Sequence, residues 1–92
     1  MIKSFQHKGL KIFFETDNKA GIIPDHAPKL SRQLLRLDIA GSVDDVNLPG
    51  WRLHALAGEL AGYYAIKVSG IWRITVKFEG EDVVLVDYVD YH

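Results

Sequence analysis

The sequence predicts an α+β domain in which two N-terminal helices pack on a small antiparallel sheet. Three observations point there. Apolar residues recur at helical spacing between Leu10 and Leu37, apolar and polar residues alternate in short runs from Trp51 onward, and the later runs are joined by the turn signals Ser69-Gly70 and Glu79-Gly80-Glu81. The chain has 92 residues, 48% of them hydrophobic. That is one domain, residues 1–92, with side chains enough for one packed core.

Taken in order, residues 2–6 read as a short strand that His7-Lys8-Gly9 ends. Leu10 to Glu15 reads as a short helix, with Leu10, Phe13 and Phe14 on one side. A polar break from Thr16 to Gly21 follows. Pro24-Asp25 opens the main helix: Asp25 is placed to accept from the free N–H groups of the first turn, and Pro28 falls where a missing N–H costs little. Ala27, Leu30, Leu34 and Leu37 form its apolar stripe; Lys29, Arg32, Gln33 and Arg36 form its wet side. Gly41 fits its stop. Ser42 and Asp45 suit a capped turn over Val43 to Val46, and Asn47 to Gly50 is a turn. Strands are then expected over 51–56, 62–68, 71–78 and 83–88. In the third of these, Trp72, Ile74, Val76 and Phe78 share the core face. Ile71, Arg73, Thr75 and Lys77 share the other, so Arg73 and Lys77 flank a surface turned away from the helices.

Composition narrows the function. With 11 basic and 12 acidic side chains the net charge is −1, which argues against a binder that relies on neutralising many phosphates. The distribution is uneven: residues 1–36 carry seven basic and three acidic groups, and residues 37–92 carry four and nine. The absence of cysteine removes disulfides, thiolate metal sites and thiol nucleophiles, and fits a reducing compartment. No apolar run reaches the length of a membrane span. The amino terminus, MIKSFQHKG, lacks the apolar region of a signal peptide. The expected location is cytoplasmic, with no membrane partner.

Two histidines carry the chemistry: His54 in WRLHALA and His92 in the terminal DYVDYH. If the last strand pairs near the His54 strand, both imidazoles and Tyr91 share a cleft. Imidazoles titrate near neutrality and suit metal-independent RNA cleavage. One takes a proton from a ribose 2′-hydroxyl, another donor protonates the leaving 5′-oxygen, and Arg73 balances charge on the phosphorane. The alternative is plainer: His54 is a hydrogen-bonded surface residue and His92 a chain end. A metal site built from His54, His92, Asp90 and Asp87 has no short ligand pattern to support it, and His7 and His26 lie scattered in the sequence. No metal or other cofactor is expected. Glu79, Glu81 and Asp82 crowd one hairpin tip without a calcium-loop pattern. Tyr63, Tyr64, Trp51 and Trp72 offer faces for base stacking, although a core role accounts for Trp72 as well.

The segments MIKSFQHKGLKIFFE, NLPGWRLHAL, GYYAIKVSGIWRITVKFE and VDYVDYH resemble, over essentially the whole chain, the HigB-type toxins, plasmid-maintenance killer proteins of the RelE/ParE superfamily. The resemblance implies a RelE-like fold and a messenger-RNA endoribonuclease (an mRNA interferase) that works in the ribosomal A site, on the small subunit, without a metal. It also implies a cognate helix-turn-helix antitoxin as partner. Carried over by position, it makes His54 and His92 the proton-transfer pair, without saying which is acid and which base. Tyr91 would orient the substrate or assist transfer, Asp90 would orient a histidine or bind ribose hydroxyls, and Arg73 would support the phosphate. The chain departs from the pattern after His54. Where these toxins read LHPLKG it reads LHALAG, so Ala55 replaces a proline and Ala57 a lysine. The loop Glu59-Leu60-Ala61-Gly62 also lacks a basic residue. The missing cation leaves weak activity, another source of charge, or a non-enzymatic protein that keeps antitoxin binding. Gyrase poisoning, the activity of the other branch of the superfamily, is a further alternative.

Overall fold

The first helix starts at a histidine. In the computed structural model, which describes residues 1–91, His7 Nδ1 accepts a hydrogen bond from the Leu10 N–H at 2.9 Å. This satisfies one of the donors a helix start leaves open, and α1 runs Lys8–Thr16, longer at both ends than its apolar spacing suggests. It closes on Asp17, which takes a left-handed conformation. The chain then returns past the start of α1 with backbone against backbone. A Cβ on Gly9 would lie 2.5 Å from the Gly21 carbonyl oxygen, so only glycine fits there.

A 3-10 turn over Pro24–His26 leads into α2, Ala27–Ile39. Asp25 does not cap this helix. Carbonyls of the preceding turn take that role, with the His26 N–H on Ile23 O and the Ala27 N–H on Pro24 O. The stripe of Ala27, Leu30, Leu34 and Leu37 is buried as expected. Gln33 is not on the wet side: it is 0% exposed, and its Nε2 donates to the Lys67 carbonyl at 2.7 Å. The helix ends at Ala40, which turns extended, one residue before Gly41. The capping box of Ser42 and Asp45 forms over the 3-10 turn Val43–Val46.

The sheet has four strands in the order β1-β2-β3-β4, each antiparallel to the next. They are β1, His54–Ala55; β2, Tyr63–Ser69; β3, Trp72–Glu79; and β4, Asp82–Asp90. The strand expected over 51–56 shrinks to two residues. Gly50 and Arg52 both take positive φ just before it, and Gly58 does so just after, opening a 3-10 turn over Gly58–Leu60. Residues 2–6 form no continuous strand. They run parallel to β4 and touch it at two bridges, Ile2 with Val83 and Phe5 with Val86. Between the bridges β4 bulges, with Leu85 at φ 57°. Ser4 answers the bulge: its hydroxyl accepts from the Leu85 N–H at 2.9 Å and its carbonyl from the Val86 N–H at 3.1 Å.

A second bulge interrupts β2 between Lys67 and Ser69, and Gln33 supplies the donor for the Lys67 carbonyl there. The core lies between the helices and one sheet face, with Leu10, Phe13, Leu30, Leu34 and Leu37 against Ile66, Ile74, Val76, Val83 and Val86. His7 and His26, far apart in sequence, meet around one tyrosine. The His7 ring stands edge-on to Tyr88 with centroids 5.3 Å apart. His26 Nδ1 and the Tyr88 hydroxyl share a hydrogen bond at 2.5 Å, and Trp72 lies 4.7 Å from the Tyr88 ring. Among the described residues no helix is long and apolar enough to cross a membrane.

Candidate active site

The sheet face turned away from the helices is laid out by strand register. His54 stands opposite Ala65, Ala65 opposite Thr75, and Thr75 opposite Asp87, so these four residues form one row across all four strands. Side chains two residues along a strand share a face. The rows on either side are therefore Lys67, Arg73 and Val89 in one direction, and Tyr63, Lys77 and Val84 in the other. The middle row has small residues on its two inner strands. Ala65 is 0% and Thr75 8% exposed, small residues covered by the longer side chains that flank them. The face has an imidazole at one edge strand, a carboxylate at the other, and cations in the rows on both sides.

His54 is exposed at the edge strand. Its Nδ1 lies 3.0 Å from the Arg52 carbonyl. A carbonyl only accepts, so Nδ1 carries the proton and Nε2 of the neutral ring keeps its lone pair. The contact spans two residues because Arg52 is left-handed, at φ 51°. The sequence shows a strand histidine; it does not show the backbone kink that selects its tautomer.

Arg73 is held near the turn between β2 and β3. Its Nη1 donates to the Gly70 carbonyl at 2.7 Å and to the Trp72 carbonyl at 2.9 Å, and the guanidinium carbon lies 5.6 Å from the Tyr91 ring centroid. The Tyr91 N–H donates to the Ile71 carbonyl at 2.8 Å, which fixes the chain beyond β4 to the start of β3. Asp90 is exposed, opposite Trp72, and strand alternation turns it to the face away from Val89. His92 lies outside the described residues.

The last strand does not pair with the His54 strand. β4 pairs with β3, and β2 and β3 stand between it and β1. The chain runs as a simple meander after β1, so first and last strands occupy opposite edges. Three strand spacings amount to about 14 Å. His54 and the last strand are therefore related only across the sheet, through the row that ends at Asp87, while Asp90 turns to the other face. Arg73 shares the His54 face; Tyr91 packs over Arg73. Ala55 pairs with Tyr64 and so points opposite to His54. Ala57 stands just past the strand, at the start of the Gly58–Leu60 turn. Among the described residues no three His, Asp or Glu side chains are grouped to hold a metal ion. A cavity of about 500 Å³ lies on the helical side instead, among Phe13, Asp17, Lys19, Pro24, Ala27 and Pro28.

The whole chain is similar to known proteins. The family described as HigB-like toxin, the RelE-like toxin of type II toxin-antitoxin system HigB, matches residues 3–92. The chain is 38% identical over 92 residues to "Endoribonuclease HigB" of Proteus vulgaris, covering 100% of both chains. It is 33% identical over 94 residues to "Toxin HigB-1" of Vibrio cholerae serotype O1, covering 100% of this chain and 98% of that one. Among solved structures it resembles the YoeB dimer from Staphylococcus aureus, with a TM-score of 0.60 at 17% identity over 99% of this chain and 94% of that one. It also resembles a YafQ mutant from E. coli, with a TM-score of 0.58 at 17% identity over 98% and 91%. The two structural likenesses speak for the fold.

Proposed function

The chain belongs to the HigB-like toxins, the RelE-like toxins of type II toxin-antitoxin systems, and from that premise we propose that it is a messenger-RNA endoribonuclease acting on translating ribosomes. The observation that carries the reading is one sheet face: it presents His54, with its Nε2 lone pair free of the Arg52 contact, together with Arg73. The relative from Proteus vulgaris bears the name of an endoribonuclease, which supports the same class of reaction here.

In this reading His54 Nε2 takes the proton from a ribose 2′-hydroxyl, and the oxygen attacks the adjacent phosphorus. Arg73 balances the charge that builds on the non-bridging oxygens. The leaving 5′-oxygen takes its proton from His92, which leaves a cyclic phosphate on one product and a free hydroxyl on the other. His54 is assigned as base because the Arg52 carbonyl selects the tautomer with a free Nε2. Tyr91 orients the substrate, and Asp90 orients His92 or binds a ribose hydroxyl. In this reading the partners are messenger RNA in the ribosomal A site and, in the resting state, a helix-turn-helix antitoxin, and the protein works in the cytoplasm.

Charge supports ribosome dependence. At a net charge of −1 the protein gains little from counterion release on free RNA, which favours a reading in which the ribosome presents the strand. The test is cleavage of one labelled messenger RNA on translating ribosomes and in buffer, each with wild-type protein and with the chain ending at Asp90. The expected result is cutting within codons on ribosomes, near-intact naked RNA, and loss of cutting on truncation. Efficient cleavage of naked RNA at low protein concentration would overturn ribosome dependence. The antitoxin-binding reading rests on Ala57, and it gains if the wild-type protein binds an antitoxin tightly and cuts nothing.

A further inference from the structure

Of the four aromatic side chains that offer faces for base stacking, three serve the interior. Trp51, Tyr64 and Trp72 pack against the hydrophobic core. Tyr63 stands on the sheet face that carries His54. We propose that Tyr63 is a specificity-determining residue of the cleavage site: its ring stacks on the base of the nucleotide on the 5′ side of the cut. The inference rests on the endoribonuclease reading above.

Three observations converge on it. The first is placement. Ala65 stands opposite His54, and Tyr63 lies two residues along β2 from Ala65, so alternation brings Tyr63 to the His54 face. Its neighbour Tyr64 takes the other face, edge-on to Phe78 with centroids 6.2 Å apart. The second is availability. Tyr63 is half-buried at the start of β2. Among the described residues its hydroxyl has no hydrogen-bond partner and no other aromatic ring packs on it; the group beside the ring is the Lys77 ammonium, 5.9 Å from the centroid. Every base has a π-face, so a ring in this setting takes a base with little regard to sequence. A cation held beside the ring is attracted to that face as well. The third is direction. Along the sheet the rows run Lys67 with Arg73, then His54 with Ala65 and Thr75, then Tyr63 with Lys77. His54 therefore lies between Arg73 and Tyr63. In the reaction above, His54 meets a ribose 2′-hydroxyl and Arg73 meets the scissile phosphate, which hangs from the 3′-oxygen of that same ribose. A strand laid across the rows sends its 3′ side toward Arg73 and the base of the attacking nucleotide toward Tyr63. Two residues along a strand span about 7 Å, a distance that one ribose and its base bridge.

The test pairs loss of the ring with loss of the base. Programmed ribosomes carry a synthetic messenger RNA whose cut is first mapped with wild-type protein. Two further messengers keep every ribose hydroxyl but lack the base, one at the nucleotide on the 5′ side of the cut and one at the nucleotide on the 3′ side. Single-turnover cleavage at sub-saturating protein is compared for wild type, Tyr63→Phe and Tyr63→Leu. Thermal melts report folding, and Tyr63→Thr stands in if Tyr63→Leu does not melt cooperatively. Loss of one base–aromatic stack lowers the rate by about 5- to 100-fold. That loss is expected for Tyr63→Leu on the intact messenger and for wild type on the messenger abasic on the 5′ side. Tyr63→Phe keeps most of the rate. On the 5′-side abasic messenger Tyr63→Leu loses little more, because ring and base form one contact, and the 3′-side abasic messenger costs all three proteins alike. A merely structural role for Tyr63 would leave the two losses independent. A wild-type rate in folded Tyr63→Leu or Tyr63→Thr, losses that multiply, or coupling to the 3′-side base instead, overturn the assignment of Tyr63 while the endoribonuclease reading stands. A wild-type protein that cuts no messenger RNA, with or without ribosomes, overturns both.

Discussion

His54 is exposed, two residues from a left-handed Arg52 whose carbonyl takes the Nδ1 proton. Those facts let its proposed chemical role be tested apart from any structural one. An exposed side chain with one short-range hydrogen bond contributes within about 0.5 kcal/mol to stability, whereas loss of a general base costs about 10²- to 10⁴-fold in rate. His54→Ala is therefore expected to melt like the wild type and to lose cleavage by that factor in a single-turnover assay. A variant that cuts normally while folded would remove His54 from the mechanism. Gln33 is the opposite case. A polar residue between Arg32 and Leu34 reads as solvent-facing, yet it is buried with Nε2 on the Lys67 carbonyl and with no partner for its Oε1 among the described residues. The need it meets, an orphan carbonyl beside a bulge in β2, arises only once the strand is built.

At the scale of elements, the two bulges and the short β1 set which residues share the His54 face. The bulge at Leu85 shifts the pairing of β4 against β3 between Thr75 and Lys77, which places Asp87 in the His54 row. A bulge bends its strand and increases local twist, and the N-terminal segment locks this one through Ser4. The approach of Gly9 to Gly21 holds the start of α1 against the segment that leads into α2. Backbone lies on both sides of that contact, so no flexible side chain can yield. Gly9→Ala is expected to destabilise the protein by about 1–3 kcal/mol, the usual cost of overpacking, read as a lower midpoint in urea with an unchanged slope. An unchanged midpoint would show that the two segments separate without penalty.

At the scale of the whole molecule, Tyr88 ties three parts of the chain together: the start of α1 through His7, the entry to α2 through His26, and the sheet through Trp72. Burial raises the Tyr88 hydroxyl above its ordinary pKa of 10.0, and a hydrogen bond with the Ile23 backbone works against the shift. The folded protein thus prefers the neutral phenol more strongly than the unfolded chain does. The stability this contributes is complete below the unfolded value and declines as pH rises from there through the raised native value. Tyr88→Phe gives up the hydrogen bond to His26, a loss of about 0.5–1.5 kcal/mol at neutral pH, but has no phenol to ionise. Urea midpoints of the two proteins should therefore converge as pH rises above about 10. A gap that stays constant or widens with pH would contradict the assigned direction.

Local pattern by itself determined the class of fold, the stripe of α2, the capped turn at Ser42, the three longer strands to within two residues, and the pairing of faces on β3. Each depends on side-chain period or on a hydrogen bond within a few residues of its donor. It also carried the resemblance that the family match bears out. What the tertiary structure alone decided are the features whose partners are distant in the chain. The N-terminal segment runs parallel to β4 because Ser4 meets a bulge 81 residues away. Gln33 is buried because a β2 carbonyl 34 residues on requires a donor. His7 and His26 are neighbours because Tyr88 stands between them. His54 and the last strand occupy opposite edges of the sheet because hairpin follows hairpin in order, so that what they share is a row through Ala65 and Thr75 and not a strand pairing. Periodicity reports which face a residue takes; only the assembled sheet reports which other residues take that face beside it.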